Sequence, residues 1–296
     1  MLPMSFPGAL PTIRRIQPLL KRIVIALLFG AMLIRVALIA TDWNFGDINA
    51  YWLAAERLKH GEPLYLGSLN PDSYQVFRYA PWFAWLWMPL TFLPRSLVEV
   101  GWAAVLGIAS LWILAGLVRL RSAAAVGLAL ILTPWLLSLV QVGNIQPLVV
   151  AVLAYGMSRR SGPIWLGASV ALKVVPGLFT LVYVARRQWR RVILAVASSG
   201  LFAAPFLLYD LSGYQTDPGR SASLYYYVSP FAWVVGAVLS GLVALVLAWR
   251  RSPYIWVAAA VAVMLAGPRT HVTYATYLVV GLLGGTADRI RPDDRG

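Results

Sequence analysis

Long apolar runs separated by short polar or basic breaks dominate the chain. Apolar runs cover 23–41, 80–94, 97–118, 123–141, 145–158, 162–185, 192–209, 231–249, 253–267 and 271–286. A membrane helix needs about 20 mostly apolar residues, so the pattern predicts an all-α polytopic membrane protein with about 8–10 transmembrane segments. The polar stretches are 1–22, 42–79, 210–230 and the tail 287–296, and no internal repeat or low-complexity tract stands out. Two runs are broken. Segment 80–94 is short and carries Pro81 and Pro89, and segment 162–185 is interrupted by "KVVPG", with Lys173 and Pro176. Irregular backbone at membrane depth is tolerated where it lines a cavity, so both are read as re-entrant.

Charge placement favours that reading. If all ten segments crossed fully, Arg119, Arg121, Arg159 and Arg160 would fall outside, against the positive-inside rule. With two re-entrant segments eight helices span, and all the basic clusters fall on the cytoplasmic side. They are Arg14-Arg15, Lys21-Arg22, Arg119 and Arg121, Arg159-Arg160, "RRQWRR" (186–191), Arg250-Arg251 and the tail arginines, 17 of the 25 Lys and Arg. Seven of the 11 acidic residues fall in the two long outer loops, 42–79 and 210–230. Both topologies keep these loops outside. The expected organisation is a cytoplasmic segment 1–22, a single transmembrane domain 23–286 and a cytoplasmic tail 287–296. Lys21-Arg22 before an apolar run has the form of a secretory leader. Arg35 interrupts that run, so a retained first helix is expected.

Composition agrees. The chain is 60% hydrophobic and 12% charged, with mean hydropathy +0.72, where a soluble domain carries about 25% charged residues. The 13 Trp and 14 Tyr suit interfacial belts. Without cysteine there is no disulfide framework, thiol catalysis or thiolate metal site. Only two histidines are present, His60 and His271, so no metal and no cofactor is expected. The net charge of +14 belongs to membrane loops, and no nucleic-acid partner is expected. Neither a P-loop, a GxGxxG after a strand, HExxH nor GxSxG is present, so nucleotide hydrolysis and soluble-type hydrolase chemistry lack support.

Against this background a few polar residues stand out. Asp47 opens "DINAYWLAAERL", in which Ile48, Trp52, Ala55 and Leu58 form one apolar stripe. This predicts an amphipathic helix on the membrane surface, with Glu56, Arg57 and Lys59 toward water. Asp47 is open to two readings: the N-cap of that helix, or a general base at the membrane–water boundary, where partial desolvation makes a carboxylate more basic. Asp42 reads as an exposed loop charge. Arg78 is either an interfacial anchor or a partner for a lipid phosphate. Lys173 lies near the middle of an apolar run, where an ionisable group hints at function unless it snorkels. Arg35 is close enough to a helix end to snorkel. Asn144 and Gln146, in "QVGNIQ", either bond between helices or bind ligand hydroxyls. Arg269 and His271, in "GPRTH", are either an ordinary basic loop or a cation pair that neutralises a departing phosphate. In the re-entrant topology Asp47, "QVGNIQ", Lys173 and "GPRTH" converge on the outer side, as polar groups do at a site.

These stretches resemble glycosyltransferase family 87, the polyprenyl-phosphate-mannose-dependent mannosyltransferases of the GT-C membrane fold. "DINAYWLAAERLKHGEPLY" is similar to the family's first outer loop, and "YAPWFAWLWMPLTFLP" to its tyrosine–proline segment. "GNIQPLVVAVLAY" looks like its glycine–amide motif, with Asn144 before Gln146 where the family usually has glutamine before asparagine. "GASVALKVVPGLFTLVYVARRQWR" resembles the lysine–proline segment, and "GPRTHVTY" a late proline-to-histidine motif. The ordered set runs through roughly residues 25–280 of a chain shorter than typical members. The resemblance implies a GT-C-like bundle whose extracytoplasmic first loop carries an amphipathic helix. It also implies an inverting transfer of mannose from a polyprenyl-phosphate donor to a glycolipid or glycan acceptor. Asp47 would be the general base. Lys173, Arg269 and His271, with Arg78 behind them, would face the donor phosphate. Tyr51, Tyr79, Asn144 and Gln146 would bind sugar or acceptor. A lipid phosphate leaves as a stable anion, so one carboxylate suffices where glycoside hydrolysis needs two. Two other classes fit the broken segments and the mid-membrane lysine: a lipid or solute transporter, and a non-catalytic relative that assists another glycosyltransferase.

Overall fold

The computed structural model describes residues 11–39, 43–220, 224–268 and 272–290. Among them it contains no strand. The helices are α1 (Pro11–Ile39), α2 (Gly46–Lys59), α3 (Pro81–Trp87), α4 (Arg95–Arg119), α5 (Ala123–Val142), α6 (Gln146–Gly156), α7 (Gly162–Leu172), α8 (Thr180–Ala185), α9 (Trp189–Ala203), α10 (Leu224–Tyr227), α11 (Pro230–Trp249), α12 (Ile255–Ala266) and α13 (Tyr277–Ile290). Short 3₁₀ turns cover Met88–Phe92, Val175–Phe179, Ala204–Leu208 and Val272–Thr276.

Among the described residues four stretches are long and apolar enough to cross a membrane: Arg95–Arg119, Ala123–Val142, Trp189–Leu208 and Pro230–Trp249. Their outer faces carry Leu111, Leu201, Leu207, Phe231 and Leu242, all exposed. In water so much contiguous apolar surface would drive association; in a bilayer it is the lipid-facing side. The protein is therefore a polytopic membrane protein. Serine caps start two of these helices: Ser122 accepts from Ala125 N at 3.1 Å and Ser229 from Ala232 N at 2.9 Å.

Run 23–41 lies in the long helix α1, and the remaining apolar runs form shorter pieces. Segment 80–94 becomes α3 followed by a 3₁₀ turn. Segment 162–185 breaks at Lys173, whose extended backbone (φ −149°, ψ 111°) stops α7 before the Val175–Phe179 turn and α8. Both ends of that segment meet: Tyr183 donates to the Met157 carbonyl at 3.0 Å, and a side chain at Gly162 would strike the Tyr183 hydroxyl. The segment thus enters and leaves at one end of the bundle, the geometry expected of a re-entrant hairpin. At about 1.5 Å per residue, α6, α7 and α12 reach roughly half of a 30 Å hydrocarbon core.

That end collects the basic turns. The Arg186 guanidinium lies 5.3 Å from the Trp256 ring, Arg191 lies 5.8 Å from Tyr183, and Arg159 stacks 3.8 Å above Tyr155. Trp256 packs on Gly284, and neighbouring Leu283 on Gly116, one turn before Arg119. From there α6, α7, α12 and α13 run to the opposite end, where Gln146, Lys173 and Thr276 meet.

Helix α2 caps that opposite end and departs from two expectations. It starts at Gly46 after Phe45, so Asp47 sits inside the first turn and is not the N-cap. The Asn44 side chain instead accepts from Gly46 N at 3.1 Å. Nor does the apolar stripe lie on lipid. Ile48 and Ala55 are fully buried in the core, with Trp52 and Leu58 packed against it. Arg57 also turns inward and is buried, where water was expected, because its position on the helix faces the protein once the stripe docks there. Glu56 and Lys59 stay partly exposed and pair at 3.6 Å.

The C-terminus of α5 holds α2 in place. Phe45 N donates to the Gln141 carbonyl at 3.0 Å. Gly143 ends α5 in the left-handed region (φ +76°), and a Cβ there would run into Ile48 of α2. Trp102 of α4 donates to the Gly143 carbonyl at 2.9 Å from the other side. Only glycine satisfies both the turn and the close helix approach.

Candidate active site

The α5–α6 turn carries the centre of the site. Asn144 donates its side-chain amide to the Asp47 carboxylate. Its carbonyl oxygen accepts from Gln146 N at 2.9 Å and from Lys173 Nζ at 3.4 Å. Lys173 Nζ also donates to Gln146 Oε1 at 2.8 Å and lies 5.5 Å from the Tyr274 ring centroid. Asp47, Asn144, Lys173 and Gln146 come from α2, the α5–α6 turn, the break after α7 and the start of α6, and form one hydrogen-bonded row. Asp47, Asn144 and Lys173 are partly exposed while Gln146 is buried, so the row has an open side and a buried end. A carboxylate and an ammonium bridged by one amide are poised to act on opposite charges of a bound ligand.

Aromatic rings build the wall beside Asp47. Tyr51, one turn along α2, is fully buried, with Tyr79, Phe83 and Trp87 at ring-centroid distances of 5.2, 5.0 and 5.1 Å. Its hydroxyl donates to Tyr79 OH at 3.2 Å and accepts from Ile145 N at 3.4 Å. Burial, reinforced by the Asp47 carboxylate, raises the pKa of both phenols, so both stay protonated.

Arg78 joins the two outer loops through its Nη2. It donates to the carbonyls of Pro71 (2.6 Å) and Asp217 (3.3 Å), tying loop 66–79 to loop 210–220. Tyr214 OH reaches the Arg78 carbonyl at 3.1 Å, and Gln215 Nε2 the carbonyls of Gly67 (2.7 Å) and Leu69 (3.1 Å). Tyr65 OH holds the Tyr79 carbonyl at 2.9 Å. Arg35 lies 5.7 Å from the Trp135 ring on the α1–α5 contact, away from the row.

Arg269, His271 and Asp42 lie outside the described residues. Reasoning from the sequence missed Thr276 and Tyr277, just beyond the quoted "GPRTHVTY". Gln146 Nε2 donates to Thr276 Oγ1 at 3.4 Å, and Tyr277 OH to Gln146 Oε1 at 3.5 Å. Their signal was the run of hydroxyl residues Thr273, Tyr274, Thr276 and Tyr277 at one edge of an apolar segment. Among the described residues no group of three His, Cys, Asp or Glu side chains is placed to hold a metal ion.

The model of glycosyltransferase family 87 matches residues 77–285. The chain belongs to glycosyltransferase family 87. The matched part includes Asn144, Gln146 and Lys173, whereas Asp47 and Tyr51 precede it and join the site through α2. No curated protein and no solved structure matches the chain. This family 87 protein is a membrane glycosyltransferase, a class that brings a sugar donor and an acceptor together at a bilayer.

Proposed function

We propose that this family 87 glycosyltransferase transfers mannose from a polyprenyl-phosphate donor to a glycolipid or glycan acceptor on the extracytoplasmic side of the cell membrane, with inversion. The observation that carries the reading is the Asn144 bridge, which sets a carboxylate and an ammonium side by side at the end of the bundle away from the basic turns. Lys and Arg accumulate on the cytoplasmic side, so the Asp47 end faces outward.

In this reading the acceptor hydroxyl enters beside Asp47. Its oxygen attacks the anomeric carbon as the bond from that carbon to the phosphate oxygen breaks. The hydroxyl proton passes to the Asp47 carboxylate, and the bonding pair leaves on the lipid phosphate. A β-linked donor gives an α-mannoside. Lys173 neutralises the departing phosphate, with Arg269 and His271 as further cations. Arg78 serves by holding the outer loops together. Tyr79 lines the acceptor side with the buried Tyr51 supporting it from behind, and Asn144 lies between acceptor and donor.

Transfer of labelled mannose from polyprenyl-phosphate mannose to lipids tests this, in membranes with matched amounts of wild type or Asp47→Asn. Label should enter a glycolipid with the wild type and fall by about 10²–10⁴-fold in the variant, as loss of a general base predicts. Equal transfer by both would remove Asp47 from the chemistry. No transfer by either, across varied acceptors, would favour the transporter or helper class.

A further inference from the structure

Gln146 stood among the sugar-binding candidates, but its surroundings suit another task. It is 1% exposed, and Thr276 and Tyr277 beside it are fully buried, so no sugar reaches it. Its amide is oriented by donor and acceptor logic. The Thr276 hydroxyl spends its one proton on the Thr273 carbonyl, at 2.6 Å. Toward Gln146 it can therefore only accept, which fixes the Gln146 NH₂ on the Thr276 side. The Gln146 carbonyl then points the other way, where it accepts from Lys173 Nζ at 2.8 Å and from Tyr277 OH at 3.5 Å. A flipped amide would present NH₂ to the ammonium, two donors with no acceptor between them.

We infer that Thr276, Gln146 and Tyr277 form a buried positioning relay that fixes the Lys173 ammonium beside Asn144. The relay runs from the Thr273 carbonyl through the Thr276 hydroxyl and the Gln146 amide to Lys173, with Tyr277 as the second donor to the amide oxygen. It joins the 3₁₀ turn before α13 to the break after α7, so a group that touches no ligand sets the direction of the cation. Thr276, Gln146 and Tyr277 are positioning residues, since each acts through Lys173.

The inference rests on the reading that Lys173 meets the donor phosphate, and the test separates the two. The probe is polyprenyl monophosphate, and its Kd is measured on the full chain in nanodiscs. Thr276→Val keeps the shape and removes the hydroxyl. It should weaken binding about tenfold, the loss expected when one hydrogen bond to a charged group is misdirected. Thr276→Ser, which keeps the hydroxyl, should bind like wild type. In a Lys173→Met background Thr276→Val should add no further loss, because both act on the same contact. Tyr277→Phe should behave like a weaker Thr276→Val and serves if that variant folds poorly. Additive losses, or failure of Thr276→Ser to restore binding, would overturn the relay while leaving Lys173 in place. Unchanged binding by Lys173→Met alone would overturn the role of Lys173 and the relay with it.

Discussion

Asn144 does two things that few side chains combine: it donates to a carboxylate and accepts from an ammonium within one rigid amide. A leucine of similar size would leave Asp47 and Lys173 in place without the bridge. An aspartate would set a second negative charge against Asp47. Asn144→Leu therefore tests how much of the activity depends on the bridge rather than on the two charges alone. Losing two charge-assisted hydrogen bonds should cost about 3 kcal/mol, a drop in transfer on the order of a hundredfold. Thermal unfolding in detergent should shift less than activity falls, because Asn144 is partly exposed and water can reach the polar groups it leaves. A variant that transfers at the wild-type rate would mean that the row of polar groups is structural.

The site depends on how α2 docks on α5, and Gly143 is the point of contact. Gly143→Ala would place a methyl group against Ile48 in a backbone conformation that L residues avoid. We expect loss of more than about 1 kcal/mol of stability, seen as a lower Tm in detergent, together with reduced transfer as Asp47 moves off Asn144. Gly236→Ala is the control: it lies in α11 where a Cβ meets nothing within 4 Å, and a glycine-to-alanine change in a helix interior is favourable by about 0.5–1 kcal/mol. Equal Tm values for the two variants would argue against the docking role of Gly143. The same contact explains what the sequence conveys. Asp47, Asn144, Gln146 and Lys173 were visible because each is polar among apolar neighbours, and the break at "KVVPG" because proline and lysine interrupt an apolar run. The start of α2 was not visible. An aspartate before an apolar stripe suggests an N-cap, and the Asn49 N bond to the Phe45 carbonyl, with Phe45 itself tied to Gln141, shows that the helix starts two residues earlier. The direction of the stripe was hidden as well, since lipid and a protein core select the same residues. Thr276 and Tyr277 were hidden because hydroxyl residues are common in membrane helices, and their role appears only once Gln146 lies beside them.

At the scale of the molecule the two ends of the bundle differ in character. Trp102 contacts Gly143, seven residues along α4 from its start at Arg95. At 1.5 Å per residue the site lies about 10 Å below one end of α4 and about 25 Å above the other. The nearer end carries the two knitted loops, 66–79 and 210–220. The farther end carries the basic turns, three of which place an arginine, Arg121, Arg187 and Arg251, in the left-handed region. Under the proposed function, a site this shallow would let a water-borne or headgroup hydroxyl enter from the loop side and a lipid-linked donor from the bilayer. Its orientation can be read directly, because the chain contains no cysteine and any single cysteine is a clean reporter. Ser73→Cys, in the loop beside the site, and Ser252→Cys, in a basic turn, would each be treated in intact cells with a membrane-impermeant maleimide. Ser73→Cys should label without permeabilisation and Ser252→Cys only after it. The reverse pattern would turn the site toward the cytoplasm and exclude a donor presented from the outer leaflet. Labelling of both in intact cells would contradict the placement of the two ends on opposite sides of the membrane.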